Sequence, residues 1–203
     1  FVLFLCFLDF IKIKTKILIF LTFIISFGIV LTQSSYFKTR YVEQIYNPLF
    51  TSSEKAKFDL ENNNYLKLYK SGLSVFKRYP VFGVGNKNYR VETCHPDNRN
   101  KYNYYCSTHP HQVYFEFLSE HGIFGSLVCF SILFYLTFVK IKILMTSKNY
   151  IQIGSFIYII LNFIPIIPSG SFFTDFNITF FIINLSFMYA VNKKTNIFEK
   201  NNL

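Results

Sequence analysis

Three of the four histidines, His109, His111 and His121, fall in one stretch, Ser107-Thr108-His109-Pro110-His111-Gln112-Val113-Tyr114-Phe115-Glu116-Phe117-Leu118-Ser119-Glu120-His121-Gly122-Ile123-Phe124-Gly125. The same stretch holds Glu116 and Glu120 and leads into an uncharged run, 122–139. A neutral imidazole takes a proton from a hydroxyl near pH 7. His111, placed just before an apolar helix, therefore suits a general base acting on the polar head of a lipid-tailed substrate. Other readings of these residues stand beside that one. His111 can simply cap the helix that starts near Gln112. Cys94-His95 and Cys106-x-x-His109-x-His111 offer zinc-type ligands, although the spacing is not that of a finger and Pro110 stiffens the chain. Glu116 reads as an N-terminal acid facing the helix dipole. Glu120 reads as a carboxylate in a buried structural hydrogen bond, because lipid exposure is costly. Gly122 and Gly125 allow close helix approach.

The cations are sorted by type. All four arginines, Arg40, Arg78, Arg90 and Arg99, lie in one polar segment, 33–111. Arginine is the better bidentate partner for phosphate, so a basic site here suits a lipid-linked diphosphate. Arg99, among Asp97, Asn98 and Asn100, reads as solvated surface. Cys94 and Cys106 lie in this segment, whereas Cys6 and Cys129 lie in apolar runs. An oxidising compartment favours a Cys94–Cys106 disulfide over two free thiols. Closing so short a loop stabilises by about 3 kcal/mol in the chain-entropy model. The turn Pro168-Ser169-Gly170-Ser171 either lines a site or only reverses the chain.

The elements that must position these residues follow from hydropathy. The 203 residues are 51% hydrophobic, with 27 Phe, and the apolar residues sit in blocks. Residues 17–37, 122–139, 149–174 and 176–192 carry no charge. Each is near the ~20 residues that cross a hydrocarbon core. The fold class expected is an all-α polytopic membrane protein with a large, mainly helical outer loop. The boundaries are 1–32 for two spans (the first truncated, the second about 17–31), 33–111 for the loop, 112–191 for spans at about 122–139, 150–167 and 176–190, and 192–203 for a tail. The chain opens on Phe1 within an apolar run, which reads as the end of a helix in a carboxy-terminal fragment.

The net charge of +10 suggests nucleic acid only if its location is ignored. Lys12, Lys14 and Lys16, then Lys140, Lys142 and Lys148, then Lys193 and Lys194 fall on one side if the spans alternate. That is the positive-inside pattern, which makes the 33–111 loop external. Within it, Thr51 to Lys77 reads as helical, with Leu66, Tyr69, Leu73 and Phe76 on one face. Tyr79-Pro80 ends that helix, and Gly83-Val84-Gly85 is a turn. A transporter or lipid-binding scaffold is the non-enzymatic alternative. It fits less well, because the spans at about 17–31, 150–167 and 176–190 hold few polar residues beyond Ser26, Asn162 and Asn184.

His109-Pro110-His111-Gln112-x-Tyr114-x-x-x-Leu118-x-Glu120-x-Gly122-x-x-Gly125 resembles the signature of the bacterial O-antigen ligase and O-antigen polymerase superfamily. Tyr79-Pro80-Val81-Phe82-Gly83-Val84-Gly85 resembles its Pro-x-x-Gly-x-Gly segment. Lys87-Asn88-Tyr89-Arg90 with Cys94 and Cys106 looks like one bacterial branch. The resemblance implies a multi-span, GT-C-like glycosyltransferase of the bacterial inner membrane with a periplasmic loop, active without metal or other cofactor. Its donor would be an undecaprenyl diphosphate-linked glycan. The acceptor would be a sugar hydroxyl of lipid A–core for a ligase, another repeat unit for a polymerase, or in a variant a protein. It implies that His111 assists deprotonation of the acceptor. It also implies that outer arginines bind the diphosphate, Arg90 first, with Arg40 and Arg78 behind it. His109, Glu120 and Gly122 would be structural neighbours of the site. Gln112 stands where the family usually has an asparagine-like residue.

Overall fold

The computed structural model describes residues 8, 11–39, 42, 63–147, 149–165 and 168–196. The chain divides into two compact units, Phe1–Lys67 and Leu68–Leu203. Arg40, Cys6 and the helical expectation for 51–62 lie outside the described residues.

In the first unit, α1 spans Ile13–Gln33. At about 1.5 Å per residue its length matches a hydrocarbon core. It starts one turn earlier than expected, because Lys14 and Lys16 are good helix formers with stems that reach out of an apolar layer. None of its side chains is buried within the chain. Ser34 ends it and opens the single turn Ser35–Phe37, its hydroxyl accepting from Phe37 N at 3.5 Å.

Further along, α2 is Asn64–Arg78, α3 Tyr89–Cys94, α4 Pro96–Tyr102, α5 Val113–Phe138, α6 Ile141–Ser147, α7 Tyr150–Asn162 and α8 Asp175–Ala190. No strand occurs among the described residues. Asn63 caps α2 by accepting from Tyr65 N and Leu66 N. One apolar face of α2 packs inward. Gly72 leaves room for Pro110 and Phe115, and the Tyr69 ring lies 5.4 Å from that of Phe115. Val75, Tyr89 and Tyr104 form a small buried core beneath Tyr79, Val84 and Tyr102.

The run Val113–Thr146 is the second one long and apolar enough to cross a membrane, after α1. The basic stretch from Lys140, read from the sequence as a connection, contains α6, which up to Thr146 belongs to that same run. Shorter than its expected range, α7 stops at Asn162 rather than Ile167, because Pro165 lacks an N–H and disfavours helical Ile164. It packs on α8 through Phe163 and Phe181, and through Gln152. The buried Gln152 amide donates to Met188 O at 2.6 Å and to Thr195 Oγ1 at 2.8 Å. That network satisfies a polar group that would be costly to bury alone.

Candidate active site

The site is built around a break in α5. Gly122 has φ +63° and ψ −170°, and separates an arm of 113–121 from an arm of 123–138. The Pro80–Gly85 segment enters this break and satisfies both exposed helix ends. Val84 N donates to Ser119 O (3.0 Å) and Gly85 N to Glu120 O (2.8 Å), closing the first arm. Ile123 N donates to Pro80 O (2.8 Å) and Phe124 N to Val81 O (3.2 Å), opening the second. A helix end otherwise leaves such groups unpaired. This corrects the expectation for Gly122: what approaches it is the backbone of a turn at Val81 and Phe82, not another helix. A Cβ on Gly125 would instead meet the His121 side chain.

His111 sits immediately before the first arm, with φ +57°. A non-glycine residue there is held by its surroundings. Its carbonyl accepts from Ser169 N at 2.8 Å, and its ring lies 3.9 Å from that of His109. His109 Nδ1 is 2.9 Å from Thr108 Oγ1. Its Nε2 is buried with no hydrogen-bond partner among the described residues. Burial pushes the His109 imidazole down to about 4, with His111 adding to the effect. Burial lowers His111 as well. Both rings are therefore neutral bases at pH 7. His111 is not the helix cap; that is Gln112, whose buried Oε1 accepts from Phe115 N at 3.1 Å.

The two carboxylates of the first arm are tied to different segments. Glu116 is buried and accepts from Ser171 Oγ and, at 2.9 Å, from Phe172 N. It clamps the 168–172 turn that supplies Ser169 N to His111, a use beyond the dipole interaction expected of it. Glu120 is also buried and accepts from Lys87 N at 3.0 Å, where Lys87 has φ +60°. It thereby holds the turn ahead of α3, the helix that carries Arg90. His121 lies between Phe117 and Phe173, with ring centroids at 5.8 and 4.8 Å.

The arginines separate clearly. Arg78 Nη1 donates to Glu92 Oε1 (2.6 Å) and Asn98 Oδ1 (3.2 Å), and its guanidinium lies 4.0 Å from the Tyr102 ring. Arg90 is exposed on α3 and has no ion pair among the described residues. Arg99 is exposed on α4. Cys94, at the end of α3, is bonded to Cys106, with Cα atoms 4.5 Å apart. The two sulfurs that the zinc alternative needs as thiolates are thus bonded to each other in a disulfide. The bridge ties α3 to the strand of chain that leads into His109 and His111.

An apolar groove of about 660 Å³ begins one turn beyond His111. Tyr114, Phe130, Phe134, Phe138, Phe163 and Ile164 line it, and Tyr114 Oη donates to Phe163 O at 2.7 Å. Ser169 and Ser171 were the residues whose contacts sequence reasoning missed. Their only signal was an uncharged small-residue run directly after an apolar block.

The described residues are helical, with two runs long and apolar enough to cross a membrane and a polar site built across a helix break. The family model described as O-antigen ligase matches residues 1–130, and the chain belongs to that family, a group of O-antigen ligase or polymerase type glycosyltransferases. The match includes His111, Gly122 and Gly125, and ends before α6, α7 and the Ser169 turn. No match is found among curated proteins, and none among solved structures.

Proposed function

We propose that this chain belongs to an O-antigen ligase-like enzyme. It would transfer a glycan from undecaprenyl diphosphate to a sugar hydroxyl of lipid A–core at the periplasmic face of the inner membrane. The chain would cross the membrane several times in a GT-C-like bundle, with 33–111 as the periplasmic loop and 112–191 carrying the later spans. The observation that carries the reading is His111. It lies in the family-matched stretch, its backbone is held at φ +57°, and its ring is kept neutral by burial beside His109.

In the reaction, His111 accepts the proton of the acceptor hydroxyl as its oxygen attacks the anomeric carbon. The bond from that carbon to the diphosphate oxygen breaks, and undecaprenyl diphosphate departs carrying the electron pair. Charge grows on the leaving diphosphate, where a fixed guanidinium is most useful. Arg90 suits that role because its guanidinium is exposed, with Arg40 a further candidate. Arg78 ranks lower, since Glu92 already neutralises it. The groove at Tyr114 has the chemistry of a polyprenyl tail. A single displacement inverts the anomeric configuration; identical anomers in donor and product would refute it.

The test places full-length protein carrying His111→Ala in a strain lacking its own ligase. The variant is first checked for membrane insertion. Loss of glycan-capped lipopolysaccharide on a gel is expected; capping at the wild-type level removes His111 from the chemistry. The polymerase alternative has its own readout. Long polymer accumulating on undecaprenyl diphosphate marks a ligase defect, and capping by single repeats marks a polymerase defect.

A further inference from the structure

Val81 and Phe82 are the most exposed apolar pair in the Pro80–Gly85 segment, and Phe82 is 71% exposed. The Phe82 ring meets Phe124 edge-on at 5.9 Å, and Phe124 is itself 60% exposed. The backbone fixes their relative height, because Phe124 N donates to Val81 O and Ile123 N to Pro80 O. Phe124 opens the second arm of α5. From it the exposed residues Leu127 and Val128 continue along the same arm. The apolar surface of the membrane-length helix thus runs without interruption onto the loop.

Several of the polar groups of that loop segment are already turned inward. Pro80 has no N–H, and Pro80 O, Val81 O, Val84 N and Gly85 N all pair with α5. This lowers the cost of bringing the turn to the edge of the hydrocarbon layer, where the remaining groups of Val81 and Phe82 still reach head-group water. Behind the pair, Val91 is 67% exposed and shares a depression of about 370 Å³ with Gly83 and Val84. The cations Lys87 and Arg90 follow in the same stretch. Apolar residues at the tip with basic residues behind them form the order of an interfacial segment.

We propose that the Pro80–Gly83 turn is a membrane wedge. Val81 and Phe82 insert among the lipid acyl chains beside the first turn of the 123–138 arm, and Lys87 and Arg90 stay at the level of the head-group phosphates. The wedge rests on the reading that this arm crosses the bilayer. It would fix the height of α3 relative to the membrane, and with it the height of a diphosphate that Arg90 could reach.

These 203 residues contain no Trp, so a single Trp introduced among them is a clean reporter once any Trp elsewhere in the full-length protein is replaced by Phe. Phe82→Trp is reconstituted in bilayer nanodiscs of phosphatidylcholine, with and without brominated acyl chains. Leu127→Trp reports on the span and Asp97→Trp on the outer surface. The expected result is blue-shifted emission from Phe82→Trp that falls to less than half in brominated lipid. Leu127→Trp should behave in the same way, and Asp97→Trp should be unaffected. Water-like emission from Phe82→Trp, quenched by iodide, overturns the wedge. Blue-shifted emission insensitive to bromine also overturns it, because another protein segment then covers the turn. Quenching of the span reporter without quenching at the turn leaves the span reading intact and removes only the wedge. Quenching at neither position removes both. Should Phe82→Trp lower the yield of folded protein, Val81→Trp carries the same measurement with the same outcomes.

Discussion

Gly83 and Gly122 each lie against the backbone that immediately precedes the other. A Cβ on Gly83 would overlap the Glu120–His121 peptide, and a Cβ on Gly122 would overlap the Val81–Phe82 peptide. Both have positive φ, +68° and +63°. Substitution at either position therefore meets two penalties, a disfavoured backbone conformation and an overlap with atoms that cannot move aside. Gly122→Ala should destabilise by about 3 kcal/mol or more, read as a lower Tm in detergent and a poor yield of monodisperse protein. Gly28, in α1, has nothing within 4 Å of a Cβ. Gly28→Ala should leave Tm unchanged or raise it, and a matching loss there would show that the Gly122 effect is not local.

Glu116 joins the first arm of α5 to the turn that holds His111. Glu116→Ala leaves Ser171 Oγ and Phe172 N without their acceptor, at a cost of about 1–3 kcal/mol per buried group. Glu116→Gln keeps an acceptor and should be milder. The more specific expectation concerns the rate: loosening the 168–172 turn frees Ser169 N, so kcat should fall in Glu116→Ala with donor KM little changed. Equal effects of Ala and Gln on Tm and kcat would remove the clamp from the account.

Acid should inactivate before it unfolds the helices. His109 and His111 have folded-state values depressed below the ordinary 6.5 by burial, His109 to about 4. A buried imidazole of this kind stabilises the folded state fully above the unfolded value, and that contribution is lost as pH falls toward the folded value. For His109 the window is 6.5 down to about 4. Tm should decline through this window in the wild type and decline less in His109→Gln. The rate should hold from neutral pH to below 6.5 and then drop as His111 takes a proton. A rate that halves at pH 6.5 or above would mean that His111 is not protected by burial when the enzyme works.

Arg90 and Arg78 should fail differently. Arg90→Lys keeps the charge and loses the planar fork, so donor KM should rise about tenfold with Tm unchanged. Arg78→Lys loses the paired geometry with Glu92 and Asn98 and the stack on Tyr102. It should lower Tm and leave donor KM alone. The reverse assignment of the two phenotypes would exchange their roles.

The sequence by itself determined the parts that depend on composition and period. Uncharged apolar blocks announced the helices α1, α5, α7 and α8, and α1 and the run that begins with α5 are long and apolar enough to cross a membrane. Helical spacing of Leu66, Tyr69, Leu73 and Phe76 foretold α2. The Cys94 and Cys106 pair and the buried acceptor role of Glu120 followed from chemistry of residue type and position. The Pro-x-x-Gly-x-Gly and histidine stretches were visible separately. Only the tertiary structure decided that they are one unit, because the reason lies in two backbones crossing where neither residue has a side chain. It alone set Ser169 against His111 and Ser171 against Glu116, since hydrogen bonds across more than fifty residues leave no period in the sequence. It also separated Arg78 from Arg90. Guanidinium groups are alike in a sequence, and what distinguishes them is whether a carboxylate has already taken up their charge.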